Sequence, residues 1–247
     1  MVTALRRSFR RGIRLLLGDR LLGAIDYALY PDRGAAWGGP FNGQRFRLAL
    51  FWALIRQFEP AAIVETGTYL GTTTELMAET GLPVFTVEAH PRSYGFARAR
   101  LRRLRNVMLL HDDSRAGLRT LFDGPLRGFA GRTIFFYLDA HWNDDLPLAE
   151  EIEIISRSWK QFVIMIDDFQ VPGDDGYGYD DDYGLWGRGL DMRTFGGVFS
   201  RCGLTPFFPT APSASETGAK RGCVVLVKNE DAQKTRSSIP SLAVKGA

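Results

Sequence analysis

The feature that most constrains the fold is an alternation of short apolar segments with longer amphipathic segments, beginning at Ala61. The apolar segments have the length and composition of β-strands, and the intervening segments have helical composition. This alternation is typical of a parallel sheet with helices on both faces, which binds ligands at the carboxyl ends of its strands. The predicted strands are 61–66, 83–88, 106–111, 133–139 and 161–167, and the predicted helices are 72–80, 91–104, 114–122 and 146–158.

The chain changes character after the fifth predicted strand. A segment rich in glycine, aspartate and tyrosine at 173–184 leads to a predicted helix at 189–202, and two β-type runs follow at Leu204–Phe208 and Gly222–Val227. A polar loop joins these two runs, which predicts a terminal antiparallel hairpin. The predicted fold class is therefore α/β, with a doubly wound, mostly parallel, seven-stranded sheet of Rossmann-like type.

The two ends of the chain differ from this central part. Residues 1–58 are predicted to form an N-terminal helical extension, 59–229 the α/β domain and 230–247 a flexible tail. Within the extension, apolar residues recur at helical spacing over 2–17 and again over 44–58. The N-terminal helices are therefore expected to be additions to the domain.

The first of these helices is strongly basic, with arginines at positions 6, 7, 10, 11 and 14. Such a helix either contacts anionic lipid or an anionic substrate carrier, or packs on the domain or on a second subunit of a homo-oligomer.

Over the whole chain, 31 basic and 28 acidic residues nearly cancel, which argues against nucleic acid as a partner. Two cysteines, Cys202 and Cys223, do not suggest a disulfide framework, and no apolar run is long enough to span a membrane. We expect a cytoplasmic protein with, at most, peripheral membrane contact.

A glycine-containing turn follows the first predicted strand, from Glu65 to Thr72. Gly67 and Gly71 allow the backbone to turn tightly and a ligand to approach it, and the next helix offers free N–H groups. Tyr69 stands where a dinucleotide-binding fingerprint needs glycine, and the lysine of a phosphate-binding loop is missing. The turn therefore predicts a ligand other than a dinucleotide.

Acidic residues also follow the second and third predicted strands. Glu88 ends the second strand, where a carboxylate accepts hydrogen bonds from a ribose diol. Asp113 and Ser114 follow the third strand, where Asp113 can reach an adenine amino group and Ser114 can cap the next helix. Together these residues predict a nucleoside site.

This arrangement of the glycine turn, Glu88 and Asp113-Ser114 resembles the class I S-adenosylmethionine-dependent methyltransferases, over about residues 61–228. The resemblance implies that Glu65, Gly67 and Gly71 line the methionine part of the cofactor, that Glu88 binds the ribose and that Asp113 binds the adenine. The terminal hairpin is also typical of that class. The predicted cofactor residues are Glu65, Gly67, Thr68, Tyr69, Gly71, Thr72, Glu88, Asp113, Ser114 and Asp139.

Three further carboxylates follow the fourth and fifth predicted strands, namely Asp139, Asp167 and Asp168. Carboxylates at one edge of a sheet repel each other unless a cation lies between them, and oxygen ligands suit Mg²⁺. A metal there would lower the pKa of a bound hydroxyl group. His141 lies two residues after Asp139 and is predicted to accept the hydroxyl proton, or else to orient a carboxylate or contact the substrate passively.

This group resembles the metal-dependent sugar O-methyltransferases of the macrocin type. The resemblance implies magnesium at Asp139, Asp167 and Asp168, a base at His141 and a carbohydrate-containing small molecule as substrate. The arginine-rich N-terminus and the 173–184 segment depart from that type, so the particular sugar is not implied.

Two alternatives remain open: methylation of an aromatic diol, and an inactive nucleoside-binding module. The 173–184 segment either closes over a carbohydrate or is a solvated loop.

Overall fold

The computed structural model describes residues 18–35, 38–141, 145–181 and 189–245. The basic helix predicted at 2–17 lies outside these ranges, as do the last three residues, 182–184, of the segment 173–184. The helices are α1 (18–29), α2 (Arg45–Phe58), α3 (Thr72–Ala78), α4 (Pro91–Leu101), α5 (Ser114–Asp123), α6 (Leu148–Ser158), α7 (Met192–Arg201) and α8 (Ala232–Ser238). The strands are β1 (Ala62–Thr66), β2 (Val84–Glu88), β3 (Val107–His111), β4 (Ile134–Leu138), β5 (Phe162–Asp167), β6 (Leu204–Pro209), β7 (Cys223–Lys228) and β8 (Leu242–Ala243).

The strands form one sheet in the order β3-β2-β1-β4-β5-β7-β6-β8. Strands β1 to β5 run parallel, and β7 lies antiparallel between β5 and β6. This confirms the predicted mostly parallel sheet with a terminal antiparallel hairpin. The predicted count of seven strands was wrong, because the short strand β8 pairs with Phe208 and Pro209 at the edge.

Two apolar cores cover the two faces of the sheet. Alternate residues of each strand point to opposite faces, so Phe136 belongs to one core while Phe135 and Tyr137 belong to the other. Helices α5, α6 and α7 cover the first face, and α2, α3 and the segment around α8 cover the second. Both faces of the central strand β4 are buried, which explains why its sequence is apolar throughout.

The predicted flexible tail is instead ordered up to residue 245. It forms helix α8 and strand β8, and the side chains of Thr235, Ile239 and Leu242 are buried. Ile239 and Leu242 join the core that α2 also covers. The segment was predicted to be flexible because its composition is mostly polar. Its few apolar residues pack against the sheet.

Helix α1 packs on helix α4 through two glycines. A Cβ atom on Gly23 would lie 2.0 Å from the carbonyl oxygen of Arg92, and one on Gly95 would lie 1.9 Å from that of Arg20. Only glycine allows backbones to approach so closely. None of the helices in the described ranges is long and apolar enough to cross a membrane.

Candidate active site

A cleft of about 660 Å³ opens at the carboxyl ends of β1, β2, β4 and β5. This is the edge at which open parallel sheets bind ligands. All of the residues predicted to form a site line this cleft except Gly71. Its other lining residues include Asn42, Asp145, Asp180 and Arg221, none of which was among the predicted site residues.

The turn after β1 depends on Gly67. Its φ of 86° lies in the left-handed region, and a Cβ atom there would lie 2.2 Å from the carbonyl oxygen of Asp139. The loops after β1 and β4 therefore touch through their backbones. Tyr69 also has a positive φ, of 50°, and its side chain is exposed at the cleft. The turn thus presents backbone to the cleft, as a cofactor-binding turn must.

Gly71 does not reach the cleft, in contrast to its predicted cofactor contact. It is the residue before α3, with a φ of 80°, and a Cβ atom on it would lie 3.3 Å from the side chain of Leu101. Gly71 therefore shapes the start of the helix and its packing. Thr72, the first residue of α3, does line the cleft.

Glu65 is buried at the floor of the cleft, with 1% of its surface exposed. The hydroxyl groups of Thr74 and Thr86 both donate hydrogen bonds to its Oε2 atom. Burial raises the pKa of Glu65 to about 8, although these hydrogen bonds act in the opposite direction. Burial therefore favours the protonated form of Glu65.

Glu88 is held in a fixed orientation by the backbone. The N–H of Tyr69 donates to its Oε2 atom and the N–H of His90 donates to its Oε1 atom, each at 2.7 Å. Burial raises the pKa of Glu88 to about 6. Each carboxylate oxygen has a second lone pair that remains available to a ligand in the cleft.

Asp113 caps helix α5, whereas the sequence analysis assigned that role to Ser114. Its Oδ1 atom accepts a hydrogen bond from the backbone N–H of Arg115 at 3.0 Å, and Arg115 also pairs with its side chain at 2.7 Å. These hydrogen bonds lower the pKa of Asp113. Ser114 is the first residue of α5, and both residues line the cleft.

Asp139, His141 and Asp168 form the second half of the site. One potential ligand atom from each lies within 4.8 Å of the others. The Nε2 atom of His141 lies 3.6 Å from a carboxylate oxygen of Asp139 and 3.9 Å from oxygens of Asp168 and Asp180. The carboxylate oxygens of Asp139 and Asp168 fit a divalent cation, with the His141 imidazole beside them.

The charges of this group depend on one another. Burial raises the pKa of Asp139 to about 7. Burial alone would raise the pKa of Asp168 as well, but the neighbouring His141 imidazole and the hydrogen bond from Arg221 lower it to about 2. Burial would lower the pKa of His141, but the neighbouring carboxylates of Asp168 and Asp139 together raise it. The imidazole therefore lies in a strongly anionic environment.

Asp167 was predicted as a metal ligand, but its carboxylate instead binds other side chains. It forms a buried ion pair with Arg47 of α2, and its Oδ2 atom accepts hydrogen bonds from Tyr137 and from Asn42, the latter at 3.1 Å. Its side chain is only 2% exposed. Asp167 thus ties α2 to β5 and stands apart from the group of Asp139, His141 and Asp168.

The described part of the 173–184 segment, residues 173–181, is folded onto the cleft. The N–H of Gly178 donates to the carbonyl oxygen of Lys220, and the N–H of Asp180 donates to that of Asp168. Arg221 forms ion pairs with both Asp168 and Asp180, so its guanidinium bridges the segment to the end of β5. The described part of this segment is therefore a wall of the site.

The site residues predicted from the sequence did not include Asn42, Arg47, Asp180 or Arg221. One signal was available for Arg47, since it shares helical spacing with Leu50, Phe51 and Leu54 on the buried face of α2. Asn42 reaches the cleft from a turn in which Phe41 and Asn42 both have positive φ. Arg221 follows a polar loop and gives no such signal, because its role depends on long-range pairing.

The fold is similar to several solved structures. The O-methyltransferase from Bacillus cereus in complex with SAH has a TM-score of 0.52 and 21% identity, covering 74% of this chain and 81% of that chain. A candidate O-methyltransferase from Klebsiella pneumoniae has a TM-score of 0.53 and 20% identity, covering 83% and 94%. A candidate caffeoyl-CoA O-methyltransferase from Staphylococcus aureus has a TM-score of 0.52 and 16% identity, covering 91% and 100%.

The sequence matches no protein-family model and no curated protein. At these identities, structural similarity is informative about the fold alone. Together with the strand order, it shows that the chain has the Rossmann-like fold of class I methyltransferases.

Proposed function

We propose that this protein is an S-adenosylmethionine-dependent O-methyltransferase that acts on a hydroxyl group of a sugar or polyol-like small molecule. One observation carries the proposal: a single cleft joins the Gly67 turn and Glu88 to the group of Asp139, His141 and Asp168. The cleft can therefore bind a nucleoside cofactor next to an acceptor hydroxyl group. The similarity of the fold to O-methyltransferases supports this assignment.

In this proposal the cofactor lies along the ends of β1, β2 and β3. The methionine part lies against the backbone of Gly67, the ribose hydroxyls donate to Glu88, and the adenine lies near Asp113 and Ser114. The two backbone N–H groups that bind Glu88 fix its orientation before the cofactor arrives. Such preorganisation lowers the entropic cost of binding.

The transfer itself is an in-line displacement at a sulfonium. A bond forms between the acceptor oxygen and the methyl carbon, the bond from that carbon to sulfur breaks, and S-adenosylhomocysteine leaves. The hydroxyl proton passes to His141, and the site mainly aligns the two reactants. A divalent cation such as Mg²⁺ at Asp139 and Asp168 would supply positive charge that lowers the pKa of the hydroxyl.

The charge of the cleft favours a polyol over an anionic acceptor. The described lining residues include eight acidic side chains and a single arginine, Arg221. Burial favours the protonated form of Glu65, and Asp113 and Asp167 pair with arginines outside the lining, but the other acidic residues still outnumber Arg221. An acceptor that carries phosphates, such as a coenzyme A thioester, would be repelled by this lining. A neutral molecule with several hydroxyl groups can instead donate hydrogen bonds to these carboxylates.

The test is a direct assay of methyl transfer. The protein is incubated with S-adenosylmethionine and one acceptor at a time, with and without Mg²⁺, and formation of S-adenosylhomocysteine is measured. The acceptors are neutral sugars, simple catechols and a catechol-bearing coenzyme A thioester. We expect turnover with a sugar. Turnover with the thioester alone would contradict the assignment of the acceptor, and no turnover despite cofactor binding would favour an inactive nucleoside-binding module.

A further inference from the structure

The exposed apolar side chains of this protein are concentrated on one helix. In the described part of the chain, seven large apolar side chains are exposed, and four of them lie between residues 21 and 30. Leu21, Ile25 and Leu29 follow one another at four-residue spacing and are 48%, 37% and 64% exposed, and Tyr30 is 59% exposed. Residues four apart lie on one side of a helix, so α1 presents a continuous apolar stripe.

The helix on which α1 packs is strongly basic. Residues 91–105, which include α4, contain six arginines and no acidic residue. Arg92 and Arg100 pair with Asp26 and Glu75. The other four arginines, at 98, 102, 103 and 105, are exposed and form no ion pair within the described part of the chain.

The apolar stripe of α1 and the arginine-rich segment 91–105 lie on elements that pack against each other. The Tyr27 ring meets the Phe96 ring at 5.3 Å, and the Arg100 guanidinium donates to the carbonyl oxygen of Pro31. The ends of α1 and α4 that carry Leu29 and Arg98 are therefore close together. The arginine-rich segment 1–17, which contains five arginines and no acidic residue, directly precedes α1 in the sequence.

We propose that α1 and the four exposed arginines at 98, 102, 103 and 105, in and just after α4, form a binding surface for membranes that contain anionic lipids. Aliphatic side chains enter the boundary between headgroups and acyl chains, while arginines bind the lipid phosphates. This inference rests on surface residues outside the cleft and is independent of the proposed activity.

The chemistry of this surface favours lipid over the other candidate partners. Nucleic acid would bind the arginines through its phosphates, but it would leave the aliphatic stripe in water. A second copy of the chain would cover the stripe, but a two-fold contact would bring two sets of unpaired arginines together. A membrane of anionic lipid can contact the stripe through its acyl chains and the arginines through its phosphates.

The experiment is co-sedimentation of the full-length protein with vesicles. One set contains phosphatidylcholine only, and the other contains equimolar phosphatidylcholine and phosphatidylglycerol. Two variants are compared with the wild type. One variant replaces the apolar stripe, Leu21→Ser, Ile25→Ser and Leu29→Ser. The other replaces the four arginines, Arg98→Gln, Arg102→Gln, Arg103→Gln and Arg105→Gln.

A charge-matched control replaces four arginines that are exposed on other helices, namely Arg127→Gln, Arg157→Gln, Arg193→Gln and Arg201→Gln. The side chains of these control residues are 71%, 80%, 86% and 66% exposed. The control shows whether binding depends on this surface or only on net charge. Circular dichroism verifies that every variant is folded.

We expect the wild type and the control to bind the anionic vesicles and not the neutral ones. Each surface variant should bind at least about tenfold more weakly. Equal loss in the control, or no binding by the wild type, would overturn the proposal. So would a dimer in gel filtration that the stripe variant abolishes, or retention of RNA by a protein that does not bind vesicles.

Discussion

Gly67 lies where the loops after β1 and β4 meet backbone to backbone. Replacing it with alanine would place a Cβ atom 2.2 Å from the carbonyl oxygen of Asp139, at a φ of 86°. We expect Gly67→Ala to lower the free energy of unfolding by about 2 kcal/mol and to weaken binding of S-adenosylhomocysteine. Gly131→Ala is the control, because Gly131 has a φ of 76° but no atom within 4 Å of its Cβ position. An equal effect on binding in both variants would contradict a role for the Gly67 turn.

Glu65 should make stability depend on pH. The folded state keeps its proton up to about pH 8, whereas an unfolded glutamate releases it near 4.5. Between these values the folded state binds more protons, so stability falls as pH rises. From about pH 5 to about pH 8, the wild type should lose on the order of 3 kcal/mol that Glu65→Gln keeps, as measured by urea unfolding. Parallel pH profiles would show that Glu65 is ionised in the folded protein.

His141 is proposed as the base that accepts the hydroxyl proton. His141→Gln should lower kcat by about a hundredfold, while binding of S-adenosylhomocysteine and of Mn²⁺ changes little. Titration calorimetry measures both affinities. If the affinity for Mn²⁺ falls instead, His141 is a metal ligand and another group must take the proton.

The partners of Asp167 could not be predicted from residue types alone. Side chains of β5 alternate between faces, and Val163 and Met165 lie in the core covered by α2. The same alternation places Asp167 on that face, next to Arg47. The sequence contains this alternation, but the helix that covers each face depends on long-range packing. Two adjacent aspartates were therefore predicted to act together, although they have different partners.

At the scale of elements, α2 is tied to β5 by a buried charge pair. In Asp167→Asn, Arg47 would remain buried without a counterion, so the free energy of unfolding should fall by about 3 kcal/mol. The double variant Arg47→Met, Asp167→Asn removes both charges and should recover part of that loss. Urea denaturation measures both. A loss of metal affinity without a loss of stability in Asp167→Asn would instead identify Asp167 as a metal ligand.

For the whole molecule, the parallel part of the sheet was predictable because each of its strands is mostly apolar and is followed by a helical stretch. The order of the last strands was not, since β7 inserts between β5 and β6 through pairing that is distant in sequence. Strand β8 has only two residues, too few to give a pattern. In the site, the residues at strand ends were predicted, whereas Asn42 and Arg221 arrive from other elements.

The central claim is that the cleft binds S-adenosylmethionine. Titration calorimetry of S-adenosylhomocysteine into the wild type and Glu88→Ala tests it, with NAD titrated in parallel. We expect one molecule to bind per wild-type chain, at least about tenfold weaker binding to Glu88→Ala, and no binding of NAD. Binding of NAD without binding of S-adenosylhomocysteine would contradict the account.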